Sequence, residues 1–234
     1  MRKYANHQGL NRRMPNYEVK MGFGLHLGWA IEGALGSFYK IDASYLGTNV
    51  NMSNKLEEAT KTYGMMILLT GQLYDFFTEA CKNECRQIDN IIFKGHTKVT
   101  ALYTCDLEMD HLALEPSKPN LSKKQQRTQR VKARLNRNAF KESIMLGEID
   151  VALLFQTDAD ILEMRSNYPQ VFFDVFNEGF KNFMKGDFKR ARKILMQVEF
   201  IKKAPDGPTK VLMDFMKETN FETPENWPGY RLQD

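Results

Sequence analysis

The chain has 234 residues, 42% of them hydrophobic and 26% charged, with a formal net charge of +4. This is ordinary globular composition and excludes collagenous, low-complexity and strongly polyanionic or polycationic classes. No apolar run approaches the roughly 20 residues that a bilayer-spanning helix needs, and MRKYANHQGLNRR lacks the apolar centre of a secretion signal.

The length suits one medium domain, or a small domain with an appendage. Cys81, Cys85 and Cys105 are an odd set without metal-ligand spacing. They fit a reducing cytoplasmic compartment and inert thiols. Any attachment to a membrane or cilium is left to a further N-terminal region or to a partner.

Arg2 to Asn11 reads as a short polar helix, ended by Met14-Pro15-Asn16. From Glu18 the side chains alternate, with Val19, Met21, Phe23, Leu25 and Leu27 on one face and Gly22, Gly24, His26 and Gly28 on the other. That period of two predicts a strand with a glycine-lined face open to close approach, here read as packing at a subunit interface. Trp29 to Leu35 is a second strand, followed by a loop and a helix from Asn51 to Tyr63 that Gly64 stops. Met65 to Leu69 suits a buried strand and Gln72 to Asn83 a helix. Ile88 to Lys94 and Lys98 to Cys105 form a hairpin around Gly95-His96.

The composition then changes. Lys118 to Lys141 holds nine basic residues and no acidic one, whereas Glu142 to Glu163 is acidic. This reads as a linker with a charged helix. Beyond it, Phe172, Phe176, Phe180 and Phe183 fall at helical spacing, Gly186-Asp187 makes a turn, and a second helix carries Ala191, Leu195 and Val198. Pro205-Asp206-Gly207-Pro208 precedes a third helix. The first two helices resemble one tetratricopeptide-type (TPR-like) hairpin.

Two motifs carry the chemistry. Gly24-Leu25-His26-Leu27-Gly28 is followed by Gly47-Thr48-Asn49-Val50-Asn51, with Lys55 four residues further on. Together they resemble the second half of a class III adenylate/guanylate cyclase domain, with Lys55 where that family has arginine. The Asp206-Gly207-Pro208 and Trp227-Pro228-Gly229 elements resemble the tail of some protist and bacterial cyclases. The resemblance implies an α+β fold: part of a ferredoxin-like cyclase sheet over 1–110, a charged linker over 111–166 and a helical TPR-like tail over 167–234.

The implied activity is conversion of ATP or GTP to cyclic AMP or cyclic GMP plus pyrophosphate, in cyclic-nucleotide signalling. The resemblance gives Asn51 the ribose and Lys55 the phosphates, both projecting from one helix face. A lysine there supplies charge without arginine's planar fork. Ser44, seven residues before Asn51, takes a base-reading position that is commonly Asp for adenine and Cys for guanine, and it matches neither. Gly47 lies beside it at the start of the helix.

Mg or Mn is expected for the complete family site but not from this chain alone. The two aspartates that hold the cations belong to the first half of the domain, and nothing before Gly22 matches that half. The expected partner is therefore a second cyclase domain, as a homo- or heterodimer, and the chain alone is expected to be inactive. The alternative is a catalytically dead scaffold or regulatory subunit. In the plain reading of the same residues, Asn51 caps the helix, Lys55 is a solvated lysine and His26 is a hydrogen-bonded structural residue.

The basic run carries Val131, Leu135 and Phe140 as a narrow apolar stripe, suited to a calmodulin-like partner at 118–141 or to a solvated linker helix. Aromatic residues are not interleaved with the charges, which argues against nucleic acid.

Overall fold

The computed structural model describes residues 8–15, 21–109, 112 and 121–233. Most of the predicted Arg2–Asn11 helix, Asn16, the Glu18–Lys20 start of the first strand and Lys118 lie outside the described residues. The chain divides into two compact units: residues 21–107 with 165–234, and residues 1–20 with 108–164.

The larger unit is mixed α and β. Its main sheet contains β1 (Phe23–Leu25), β4 (Ile67–Thr70), β5 (Arg86–Phe93), β6 (Thr100–Thr104) and β7 (Arg231–Gln233), in the order β1-β4-β6-β5-β7. The β1–β4 and β5–β7 pairs are parallel, and the two central pairs are antiparallel. A separate antiparallel hairpin joins β2 (Ile31–Ser37) to β3 (Lys40–Leu46). The stretch after Trp29, expected as one strand and a loop, is therefore two paired strands turning at Phe38-Tyr39. Its pairing runs unbroken from Ile31–Leu46 to Ser37–Lys40.

Helix α2 (Thr48–Tyr63) starts three residues earlier than the asparagine spacing predicts and ends at Gly64 in the left-handed conformation. Its buried residues, Met52, Leu56, Ala59, Thr60 and Tyr63, form one stripe against the sheet. Gly24 makes that packing possible, because a Cβ there would overlap the backbone of Ser53 and Glu57. The glycine-lined face of β1 thus admits this chain's own helix, which corrects its reading as a subunit contact. The single helix expected over 72–83 is two short ones, α3 (Gly71–Tyr74) and α4 (Glu79–Asn83).

The tail comprises α8 (Gln170–Met184), α9 (Phe188–Lys202) and α10 (Gly207–Glu218). Asp187 caps α9 by accepting from the Arg190 N–H. Phe172, Phe176, Phe183, Phe188, Leu195 and Leu212 are fully buried, and they share one core with Leu56, Tyr63, Ile88, Ile91 and Leu102 of the sheet region. Their helical spacing reads as an apolar face, and that face is the one buried. Helix α10 abuts the end of α2 so closely that a Cβ at Gly207 would overlap the Tyr63 carbonyl.

The smaller unit is helical. It contains α1 (Gln8–Arg13), α5 (Lys123–Met145), a 3-10 turn at Val151–Leu153, α6 (Leu154–Thr157) and α7 (Ala159–Met164). No described helix is long and apolar enough to cross a membrane.

Gly207→Ala should cost about 1–3 kcal/mol, the usual penalty of overpacking. Gly33→Ala, whose Cβ meets nothing within 4 Å, should fall within about 0.5 kcal/mol of the parent. Urea denaturation measures both, and equal midpoints for the two variants would contradict the tight α2–α10 contact.

Candidate functional site

The residues that carry the cyclase resemblance sit at the N-terminal end of α2 and on the strands leading to it. Gly47 is the N-cap, and the Asn51 N–H donates to its carbonyl at 3.2 Å. Asn51 is therefore four positions inside the helix, which removes the capping explanation for it. Its side chain is exposed. Lys55, one turn on, is half-buried, and its Nζ donates to the carbonyl of Lys94 at the end of β5.

Lys55, Glu58, Ala59, Thr62, Phe93, Lys94 and Gln233 line an open cleft along this face of α2. Ser44 lies on β3 opposite Gly33 and is partly exposed. Asn51 and Lys55 thus share one face, with Gly47 one turn before them, while Ser44 stands on the neighbouring hairpin. Sequence reasoning missed Lys94 and Gln233, which reach the cleft through strand pairing and carry no local motif.

His26 is fixed in place. Its Nδ1 lies 2.8 Å from Thr70 Oγ1 and its Nε2 3.2 Å from Asn49 Oδ1. The Asn49 amide nitrogen donates to the Trp29 carbonyl at 2.7 Å, which turns the amide oxygen toward His26. Nε2 therefore donates to that oxygen, and Nδ1 accepts from the Thr70 hydroxyl. The histidine joins β4, α2 and the loop before β2, in line with the plain reading of it as a hydrogen-bonded structural residue.

Among the described residues the buried carboxylates are all engaged. Arg86 is fully buried and donates from Nε and one terminal nitrogen to Asp106, at 2.9 and 2.6 Å, and from both terminal nitrogens to Asp206, at 3.1 and 3.0 Å. Asp206 also accepts from the N–H and hydroxyl of Thr209, at 3.0 and 2.7 Å. Burial pushes Asp106 above the ordinary carboxylate range, more than Arg86 can offset. Burial also pushes Asp206 upward, but Arg86 and the two Thr209 donors outweigh it and hold that carboxyl low. Burial would lower Arg86, yet the two carboxylates hold it above its usual value.

Three residues along the same strand, Asp89 accepts from Tyr63 Oη at 2.7 Å and from Arg231 Nε at 3.0 Å. Burial and the adjacent Asp89 push the Tyr63 phenol well up. Burial also raises Cys85 to about 11 and Cys105 to about 12, so both stay thiols at neutral pH.

A Mg or Mn ion needs several free oxygen donors converging on one point. Among the described residues no three His, Cys, Asp or Glu side chains come together. The oxygens of Asp89, Asp106 and Asp206 already face guanidinium and hydroxyl donors, so this set of residues does not fit such an ion.

No protein-family model matches the chain. Over 86 residues, 36% of this chain, it is 29% identical to an adenylate cyclase of Anabaena cylindrica. The aligned stretch spans only 17% of that relative's length. Two solved structures of bacterial light-regulated adenylyl cyclases are 26% and 24% identical, each over 36% of this chain. They are covered over 40% and 23% of their own length, with TM-scores of 0.28 and 0.30. About a third of the chain is thus similar in sequence to adenylate cyclases.

Breaking the buried cluster is expensive, because removing one partner leaves uncompensated charge. Arg86→Ala should cost about 3–5 kcal/mol. Asp206, held low, stabilises the fold fully above the ordinary carboxylate pKa of about 3.9, and that stabilisation is lost as pH falls through its lower folded value. Asp206→Asn should therefore be less stable than the parent at neutral pH and converge on it in strong acid. A urea-midpoint gap that stays constant across that range would refute the assignment.

Proposed function

We propose that the larger unit supplies one wall of a class III nucleotide cyclase site and works only against a second cyclase domain. In this reading the sheet with α2 is part of a ferredoxin-like cyclase fold, and the α8–α9 hairpin is the TPR-like tail attached to it. Asn51 orients the ribose so that the 3′ oxygen faces the α-phosphorus, and Lys55 meets the phosphates. Ser44 and Gly47 border the base. ATP and GTP remain the two candidate substrates, because Ser44 has neither the carboxylate nor the thiol that would choose between them.

The observation that carries this reading is the placement of Asn51 and Lys55. They stand on one accessible face of α2, while the same helix buries a different stripe.

Two further features support dependence on a partner domain. The described residues do not fit a divalent cation, so Mg or Mn would come with the partner's carboxylates. The β2–β3 hairpin is exposed at every position but Ser44, with Ile41 73%, Phe38 106% and Tyr39 99% exposed, and Trp29 just before it is 71% exposed. Apolar surface of this extent on a free hairpin marks an interaction site.

The engaged state of Asp89, Asp106 and Asp206 also favours a second reading, a catalytically dead scaffold or regulatory subunit that docks through the same hairpin. Complementation separates the two. The chain alone, with ATP or GTP and manganese, should form no cyclic nucleotide. Mixed with a cyclase domain that keeps its cation aspartates but has lost its own Asn/Arg pair, it should restore product formation. Asn51→Ala should then reduce the rate about a hundredfold, the typical cost of one well-placed polar donor, and Lys55→Arg should raise it. Turnover by the isolated chain would exclude the divided site, and association without activity would establish the scaffold.

A further inference from the structure

Helix α5 is 23 residues long and buries none of them. It is held by its own chemistry. Ser122 Oγ accepts from the Gln125 N–H, and the Gln125 side chain accepts from the Ser122 N–H at 2.9 Å, a reciprocal cap. The body is rich in Lys, Arg, Gln and Ala, which favour helix. A helix built to stand in water without a packed face has its surface free for something else.

That surface is ordered. Lys123, Arg127, Arg130, Arg134, Arg137 and Lys141 are spaced 4-3-4-3-4. At about 100° per residue they fall within an arc of about 80° and form one cationic stripe roughly 27 Å long. Among the described residues none of the six forms an ion pair, although the acidic 142–163 segment belongs to the same unit.

The apolar residues do not form the single narrow stripe that the sequence suggests. Val131 and Leu135 stand on one flank of the cationic face, and Phe140 and Ile144 stand on the other, each pair about 90° from its centre. Val131 is 51%, Leu135 63% and Phe140 41% exposed.

We propose that α5 is the docking helix of an acidic protein that encloses it from both sides, a partner of calmodulin type. The stripe supplies the charge complementarity, and the two apolar pairs supply anchors for a partner with apolar surface on both walls of its groove. A bilayer rewards one broad apolar face, and this helix has two narrow ones divided by cations. A nucleic-acid backbone would take the stripe and leave both apolar pairs in water.

The test uses the full chain and fluorescently labelled calmodulin as the probe. Calcium-loaded calmodulin should bind with Kd near or below about 1 μM, and chelating the calcium should release it. Arg130→Glu with Arg134→Glu, and separately Leu135→Ser with Phe140→Ser, should each weaken binding by about tenfold or more, with helicity unchanged by circular dichroism. No binding, or binding lost on charge reversal but indifferent to the apolar pair, would overturn the proposal. So would tighter association with phosphatidylserine vesicles or with duplex DNA than with calmodulin.

Discussion

Arg86 sits where β5, the segment after β6, α8 and the start of α10 meet. Its guanidinium is shared by Asp106 and Asp206, and it lies 4.7 and 4.2 Å from the ring centres of Phe172 and Phe176. Burying one cation between two anions is costly, and a well-packed apolar substitute could be as stable. What the cluster adds is geometry. A guanidinium offers fixed donor directions, so the tail can dock on the sheet in one register, with Asp206 also capping α10. The aromatic faces of α8 fill the remaining coordination sphere of the cation, which ties helix packing to the same point.

A β-bulge makes this possible. The register of β5 against β6 shifts between Gln87 and Asp89, so an extra residue changes which positions face the core. Before the shift Arg86 and Ile88 point inward, and after it Asp89, Ile91 and Phe93 do. One strand can thus present a cation to the tail and, further along, an anion to Arg231 of β7 and Tyr63 of α2. The second cluster holds the last strand on the sheet edge. Helix α2 is consequently gripped by Gly24 of β1 on one side and by Gly207 of α10 at its C-terminal end, leaving its N-terminal face as the accessible part.

This arrangement explains what could be read from residues alone. The α2 helix, its stop at Gly64 and the phenylalanine face of the tail were legible because each depends on spacing within one segment. The β2–β3 pairing was hidden by the glycines at 33 and 36, which weaken any strand pattern, and by a polar second strand carrying Lys40, Asp42 and Ser44. The split of the 72–83 helix follows from Asp75-Phe76-Phe77-Thr78, where Thr78 caps a new start. Nothing local marks Arg86, Asp106 and Asp206 as one cluster, since its members lie on separate segments and the bulge reverses the inward parity between Arg86 and Asp89. Of the candidate site, Asn51 and Lys55 came from the motif, whereas Lys94 and Gln233 came only from strand pairing.

Lysine at position 55 sets what the proposed wall can do. Its ammonium already donates to the Lys94 carbonyl, and Glu58 lines the same cleft. The ammonium has three N–H donors, so it can keep that carbonyl and still give a phosphate oxygen a single contact. Arginine would keep donors to spare, because its five N–H groups can serve a carbonyl and two phosphate oxygens together. In the proposed reading a wall built this way offers the phosphates charge without a planar fork, and the further donors would come from across the site. The exposed hairpin then has a physical rationale. In that reading, docking its apolar surface would bring in the second domain, and with it the donors that this helix lacks.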